Sequence, residues 1–320
     1  MTTPIAATDH AHGRLASSQT REWQAVTTRR GLHWQRFGEH RLAAIALLIL
    51  GLLVVAVLCA HLSPYDADRP NLVQRFQAPS QLHPFGTDDL GRDELTRTLV
   101  GGEISLAIGL LAMFLSLTVG VLLGATAGYF GGVVDGLLMR FTEVVLAIPQ
   151  LLVLILLAVF FGTSFATIVL IIGLLRWMSL ARLVRASFLQ HRERDYVIAA
   201  RAVGASTYRL MWCHIFPNSI GPVIVAATLG IGGAILTESA LSFLGLGIQL
   251  PTSSWGNMLR ISQSTLTSAP WLALAPGGFI FMTILCVNYV GDGLRDALDP
   301  RTERIFAGRR KKKVAKMAAA

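Results

Sequence analysis

The chain has 320 residues, of which 53% are hydrophobic and only 15% are charged, and its formal net charge is +9. Soluble domains contain about 25% charged residues, so this composition excludes an ordinary soluble protein and indicates a polytopic membrane protein. The three cysteines, Cys59, Cys213 and Cys286, have no metal-site or disulfide spacing, and we expect them to be packing residues.

The chain begins with a polar tail over residues 1–41, which includes six arginines and which we expect to be mostly disordered. Residues 42–60 then contain no charged side chain. This run is close to the length of about 20 residues that a helix needs to cross a bilayer. The first membrane helix is therefore predicted within residues 42–62.

Residues 63–103 form a polar loop with four prolines, and we expect it to be external. Within it, Asp88, Asp89 and Asp93 stand between bends at Gly86 and Gly91. Aspartates in such positions bond nearby backbone amides, which is the role we favour. A cation site and an acid–base pair are the alternatives for these carboxylates.

The second span is predicted over residues 104–127, which carry no charge. Gly120, Gly124 and Gly128 recur every four residues and form a ridge on one side of this helix. Such a ridge lets another membrane helix approach closely, so we expect a tight helix pair here. A short link follows over residues 128–140.

The third span is predicted over residues 141–161 and the fourth over residues 164–180. Glu143 lies near the edge of the third span, and we expect it to be structural and paired with Arg140 or another interfacial base. Arg176 is placed near the cytoplasmic end of the fourth span, where its long side chain would reach the membrane surface.

The fifth span is predicted over residues 220–241 and contains Glu238. An acidic residue inside a span is a functional candidate because it is costly there, so Glu238 is a possible residue of the translocation path. It could instead face the second external loop, which covers residues 242–270. The sixth span, at 271–290, is followed by a basic cytoplasmic tail over residues 295–320.

The positive charges are unevenly divided between the two sides of this arrangement. One side carries 23 of the 28 Lys and Arg residues, and it includes both tails and the loop over residues 190–217. Because positive loops remain in the cytoplasm, both termini and this loop are expected to be cytoplasmic. The predicted fold class is an all-α membrane protein with six transmembrane helices, five of them in a core over residues 104–294.

The polar stretch DYVIAARAVGASTYRLMWCHIFP, at residues 195–217, stands between two apolar runs of membrane length. The pattern predicts two short helices that meet at Gly204, with Ser206 capping the second. The small side chains of Ala199 and Ala200 would let another protein's backbone come close. A helical hairpin lying on the membrane is the alternative that the pattern leaves open.

The string AARAVGAS at residues 199–206, followed by HIFPN at 214–218, resembles the coupling motif of binding-protein-dependent ABC importer permeases. The chain is similar more narrowly to the second permease of the dipeptide, oligopeptide and nickel group, over about residues 80–300. The motif of that family usually opens with Glu-Ala-Ala, and here Ile198 stands at the Glu position. Further strings similar to the family's, in the same order, lie at 83–97, 128–140 and from 242 onward.

This resemblance implies a type I ABC importer permease architecture in the cytoplasmic membrane of a prokaryote. It implies that residues 195–217, hereafter the coupling segment, dock on an ATPase subunit. The expected partners are a second homologous permease subunit, two ATP-binding subunits and an extracytoplasmic substrate-binding protein, with no nucleic acid. The expected contact residues are Tyr196, Ala199, Ala200, Arg201, Gly204 and Ala205.

Di- or oligopeptides are the expected substrate, with nickel or another small solute as the alternative. The chain contains no G-x-x-x-x-G-K-[ST] string, and its four lysines all lie in the C-terminal tail. We therefore expect no ATPase site, no catalytic residue, no metal and no cofactor. An ion-driven secondary transporter would need an internal repeat or more ionisable groups at the midplane. A membrane enzyme would need a motif such as H-E-x-x-H or G-x-S-x-G, which the sequence lacks.

Overall fold

The computed structural model describes residues 37–38 and 40–298, and this part of the chain is helical, with one isolated bridge between Thr87 and Asp93. Most of the two predicted tails, 1–41 and 295–320, lies outside the described residues. The helices are α1 (Arg41–Leu58), α2 (Glu94–Phe130), α3 (Gly132–Leu146), α4 (Gln150–Phe161), α5 (Phe165–Arg192), α6 (Asp195–Ala202), α7 (Thr207–Phe243), α8 (Trp255–Ser262) and α9 (Trp271–Leu298). Short 3₁₀ turns cover Ala60–Leu62, Leu72–Gln74 and Gln263–Thr265.

Five of these helices, α1, α2, α5, α7 and α9, are each long and apolar enough to cross a membrane. The pair α3 and α4 reaches that length only together, and the two helices are bent by 84° at the break between them. Counting this pair as one span gives the predicted six among the described residues. The third span predicted over 141–161 is broken in the structure, because Pro149 lacks an N–H donor and disfavours a helical conformation at Ile148.

Helices α2 and α5 extend well beyond their predicted ends. The predicted loop over residues 63–103 ends at Asp93, because α2 begins at Glu94. The Asp93 carboxylate accepts the Thr96 N–H at 2.8 Å and so caps the helix. At the other end of the bundle, α5 continues to Arg192, twelve residues past its predicted end. The predicted spans left out the charged turns at the start of α2 and at the end of α5. A helix can nevertheless continue through charged residues once it is outside the bilayer.

The glycine ridge of α2 packs against α5, and this is the most extensive helix contact in the described part of the chain. A Cβ atom at Gly120 would lie 2.7 Å from Leu180 Cβ, and one at Gly128 would lie 2.6 Å from Phe188 Cβ. A Cβ atom at Gly124 would meet the backbone of α5 at Ala181. The predicted close approach is confirmed, and only glycine fits at these positions.

The remaining helices surround this pair. α7 packs on α2 and α9, and α1 packs mainly on α9. The segments 63–93 and 242–270, hereafter the cap, lie together at one end of the bundle, where Asp88 of the first and Met258 of the second line the same small cavity. The coupling segment lies at the opposite end, since the long helix α7 starts within it and ends at the cap.

Candidate functional site

The coupling segment turns at Gly204, whose φ of +84° lies in the left-handed region. The Gly204 N–H donates to Arg201 O at 3.0 Å, and the Ala205 N–H donates to Ala200 O at 3.1 Å. These two hydrogen bonds form the Schellman motif that ends many helices with a glycine. The predicted turn at Gly204 after a short helix is confirmed, with α6 as that helix.

The helix after the turn is longer than predicted. Ser206 Oγ accepts the Arg209 N–H at 3.4 Å at its start, as expected for a cap. The chain then continues through a π-helical stretch, Leu210–Ile215, into the membrane-spanning part of α7. Pro217 stands just after this stretch, and the chain passes it without a break. The predicted second short helix is therefore the first turn of a spanning helix.

The inner face of the coupling segment is fixed to the bundle. Val197 and Ile215 are both 0% exposed, and they pack in one apolar cluster with Phe188 of α5 and Val121 of α2. Leu210 and Met211 belong to the same cluster. The segment is thus attached to the two helices that pack most closely.

The outer face of the coupling segment exposes large apolar and aromatic side chains. Tyr196 is 39% exposed, Ile198 53%, Val203 86% and Tyr208 72%, and these four residues are hereafter the outer face. Exposed apolar groups outside a lipid-facing surface mark interaction sites. The predicted contact residues do not include Ile198, Val203 or Tyr208, although large apolar residues on both sides of a turn glycine were a usable signal.

The six predicted coupling residues differ in exposure. Tyr196, Ala199, Arg201 and Gly204 are exposed, whereas Ala200 and Ala205 are half-buried against the apolar cluster. The Tyr196 hydroxyl lies 3.0 Å from His191 Nδ1, and burial raises the pKa of Tyr196. The structure therefore presents four of the six residues to a partner and uses the two small alanines for close packing.

Polar contacts join the same region to the ends of α2 and α3. Arg185 of α5 forms a bidentate pair with Asp135 of α3, with Nη2 2.6 Å from Oδ2. Arg192 Nη1 donates to the Tyr129 carbonyl oxygen of α2 at 3.1 Å. These contacts join the end of α5 that precedes the coupling segment to the ends of α2 and α3.

The cap contains buried charges that pair with one another. Arg92 Nη2 lies 2.6 Å from Asp88 Oδ2, and His83 Nδ1 lies 2.8 Å from Asp93 Oδ1, with all four side chains buried. Asp88 Oδ1 also accepts the backbone N–H of Arg92 at 2.8 Å. The turn role predicted for Asp88 and Asp93 is confirmed, and the ion pairs are an additional role that the sequence did not indicate. In the described part of the chain, no group of three or more His, Cys, Asp or Glu residues is placed to hold a metal ion.

Glu238 is 0% exposed and surrounded by hydroxyl groups. Ser242 Oγ donates to it at 2.7 Å and Ser105 Oγ at 3.1 Å. Ser105 Oγ in turn accepts the backbone N–H of Trp255, at the start of α8 in the cap. These contacts favour the second of the two predicted environments, the external loop, and a role of Glu238 in the path stays a prediction.

Two other charged residues of the spans were assigned from the sequence. Glu143 lies 3.1 Å from Arg140 Nη1 and both are exposed, as expected. Arg176 was expected at the end of its span, but it is the twelfth of the 28 residues of α5. The snorkelling prediction was wrong because α5 continues well past residue 180, which places Arg176 inside the bundle beside a cavity of about 220 Å³.

The chain matches known families over most of its length. The family described as "Binding-protein-dependent transport system inner membrane component" matches residues 120–304, and the "N-terminal TM domain of oligopeptide transport permease C" matches residues 28–79. A chain of an amino acid ABC transporter solved with histidines is similar at a TM-score of 0.49 and 17% identity, over 62% of this chain and 92% of that one.

Curated relatives cover the same region. The oligopeptide transport system permease protein OppC of Bacillus subtilis is 42% identical over 270 residues, which is 84% of this chain and 88% of that protein. The dipeptide transport system permease protein DppC of the same species is 43% identical over 273 residues, 85% of each chain. OppC of Haemophilus influenzae is 40% identical over 275 residues, 84% of this chain and 88% of that protein.

The family match covers more than half of the chain, and the three relatives are 40–43% identical to it over most of its length. The bundle of long apolar helices fits a multi-pass protein of the inner membrane. The chain belongs to the family of inner membrane permease components of binding-protein-dependent transport systems.

Proposed function

We propose that the chain is the transmembrane permease subunit of an ATP-driven importer of di- or oligopeptides, and that its coupling segment contacts an ATP-binding subunit. The outer face is the single observation that carries the coupling role, because it exposes four large side chains on a segment fixed to the spanning helices. The names of the OppC and DppC relatives support peptides as the substrate. Those names give no support to the alternative of nickel or another small solute.

The proposed orientation places the coupling segment and both termini in the cytoplasm. The excess of positive charge on that side supports this orientation. The cap then faces outward, where its two segments offer a surface for the substrate-binding protein. A second homologous permease subunit would complete the path, and two ATP-binding subunits would complete the assembly.

The proposed mechanism transmits movement from the ATP-binding subunits to the spanning helices. Closure of those subunits around ATP would pull on the outer face. The pairs Arg185–Asp135 and Arg192–Tyr129 would carry the displacement to α2 and α3. Helix α7 would carry it along its whole length toward the cap. The chain supplies no P-loop string, so the energy comes from the ATP-binding subunits and the chain is not itself an enzyme.

Cysteine cross-linking in the assembled transporter tests the coupling role and the orientation together. The two exposed native cysteines are first replaced in a Cys59→Ser, Cys213→Ser background. Ala199→Cys, on the exposed side of α6, is expected to capture an ATP-binding subunit. Val73→Cys, at a position that is 92% exposed in the cap, is the matched control and is expected to capture the substrate-binding protein.

Three outcomes would contradict the proposal. Capture of the substrate-binding protein from Ala199→Cys would reverse the orientation. Capture of neither partner from Ala199→Cys, in a complex that still contains both, would remove the coupling role. Uptake of a labelled tripeptide into vesicles that persists without ATP and collapses with the ion gradient would favour a secondary transporter instead.

A further inference from the structure

A cavity of about 220 Å³ lies where α2, α5 and α7 meet the break between α3 and α4. The function proposed above does not use it. Its lining combines apolar side chains with three polar ones, and it is more polar than the grooves between the other helices. The lining residues that matter for its chemistry are Met113, Leu146, Gln150, Arg176, Ser179 and Gly230.

Arg176 lies deep within the membrane-spanning part of the bundle. At 1.5 Å per residue, it is about 16 Å from one end of α5 and about 24 Å from the other. The hydrocarbon core of a bilayer is about 30 Å thick, and Arg176 stands within the part of α5 that is long and apolar enough to cross it. Ionisable residues at such depth are costly, and they mark ligand and ion pathways when they line a cavity.

Arg176 has no acidic partner within the described residues, since none of the ion pairs there includes it. Its hydrogen bond from Nη1 to Thr237 Oγ1 is long at 3.5 Å. This differs from Arg92 and Arg185, each of which holds a carboxylate within 2.7 Å. The Arg176 guanidinium thus keeps most of its five donors available for a ligand.

The neighbouring helix is shaped to hold this guanidinium. A Cβ atom at Gly233 of α7 would collide with Arg176 Nη2, so the missing side chain there provides the space that the guanidinium occupies. Thr237 follows one turn later and contacts it with its hydroxyl. The Arg176 guanidinium therefore lies against α7 beside the cavity.

The other polar groups of the cavity complement the arginine. Gln150 is the first residue of α4 after the 84° bend, and its exposed side chain makes no hydrogen bond within the described residues. Ser179, on α5, is exposed on the same side. The N–H groups at the start of α4 add positive potential, although the site depends on the guanidinium.

We propose that Arg176, assisted by Gln150 and Ser179, binds the C-terminal carboxylate of the substrate during translocation. An arginine and a carboxylate form two parallel hydrogen bonds, which gives both affinity and orientation. The site would compensate a negative charge that otherwise has to cross the membrane without a partner. This inference rests on the proposed function as a peptide importer, because it takes a peptide as the ligand.

Uptake by the complete transporter in proteoliposomes tests the site. The probes are a labelled neutral tripeptide with a free C-terminus and the same tripeptide as its C-terminal amide. Both are supplied at concentrations that saturate the separate binding protein, as measured by direct binding. Arg176→Gln is expected to reduce uptake of the acid about tenfold and to leave the amide little changed, because a hydrogen bond to a charged group is lost.

Two variants provide the comparison. Arg182→Gln, on an exposed position of the same helix outside the cavity, is the matched control and should leave both probes unchanged. Arg176→Lys retains the charge without the bidentate geometry, and it should give an intermediate ratio of acid to amide uptake. It also serves if Arg176→Gln fails to assemble.

The acid-to-amide ratio decides the outcome. If Arg176→Gln gives the same acid-to-amide ratio as wild type, the site is overturned. If only Arg176→Lys assembles, the same criterion applies to that variant. The site is also overturned if Arg176→Gln loses uptake of both peptides equally and no longer co-purifies with the second permease. Arg176 would then pair with that subunit. Wild-type protein that takes up no tripeptide with ATP would instead refute the proposed function.

Discussion

The two ends of α7 differ in the kind of side chain that is buried around them. At the cap, the side chains of Asp88, Arg92, Asp93 and His83 are buried and bonded to one another. At the coupling segment, the buried side chains are apolar, and the outer face leaves large side chains exposed to solvent. The buried part of one end holds paired charged side chains, whereas the buried part of the other end is apolar.

This difference separates what the chain does alone from what it does with a partner. A buried ion pair is sensitive to the loss of either member, because the remaining charge has no compensation. A cluster of exposed apolar side chains, by contrast, marks a surface at which another protein or the membrane binds. Substitutions in the cap should therefore affect stability, and substitutions in the coupling segment should affect activity at nearly constant stability.

The largest effect is expected from Asp88→Asn in the cap. Asp88 Oδ2 lies 2.6 Å from Arg92 Nη2 and 3.4 Å from Arg97 Nε, and both arginines are buried. Removing the charge of Asp88 leaves them without their closest anion, which should cost about 3–5 kcal/mol of stability. Thermal unfolding of the purified complex should show a large fall in Tm or a failure to accumulate.

Asp89→Asn is the matched control for that change. The Asp89 side chain is 40% exposed, and its closest approach to Arg92 is 3.7 Å. A surface pair of this kind contributes about 0–1 kcal/mol, so Tm should change little. Equal destabilisation by the two variants would mean that the ion pair of Asp88 does not hold the cap together.

Gly204→Val is expected to reduce stability less than Asp88→Asn does. Its effect on activity should be larger than its effect on stability. A Cβ atom at Gly204 would meet nothing within 4 Å, so the change introduces no collision. The left-handed backbone at φ +84° is nonetheless unfavourable for valine by about 1–2 kcal/mol. The Schellman turn should shift, and peptide uptake driven by ATP should fall about tenfold while membrane insertion stays normal.

Gly204→Asn provides the control, because asparagine visits the left-handed region more readily than other non-glycine residues. It should retain most of the uptake and of the ATP hydrolysis stimulated by the binding protein. Wild-type uptake by Gly204→Val would show that the geometry of this turn does not matter for coupling.

The smallest effect is expected from Tyr196→Phe. The hydroxyl is shared with His191 at an exposed position, so its loss should reduce uptake by less than about twofold. Burial raises the pKa of Tyr196, which keeps the hydroxyl protonated in the folded state until the pH exceeds its ordinary value of about 10. Wild type and variant should therefore give parallel uptake profiles between about pH 7 and pH 9. An alkaline step present only in the wild type would contradict this assignment.

The coupling segment was accessible from the sequence because its signals are local. Gly204 stands where a helix has to end, and Ser206 stands where the next one has to begin, so neighbouring residues alone indicate the turn. The glycine ridge of α2 was equally accessible, since its period is set by the helix itself. These local signals do not show which neighbouring surface each helix face packs against.

The amino-acid sequence by itself determined the number of spans, the turn of the coupling segment and the asymmetry of positive charge, because each depends on composition or on residues close together in the chain. The tertiary structure decided the 84° bend at Pro149, the ion pairs of the cap and the position of Arg176 beside a cavity. Each of these depends on which helices meet in space. A proline permits a bend but does not set its angle. The position of an arginine in an apolar run likewise does not show which helices surround its side chain.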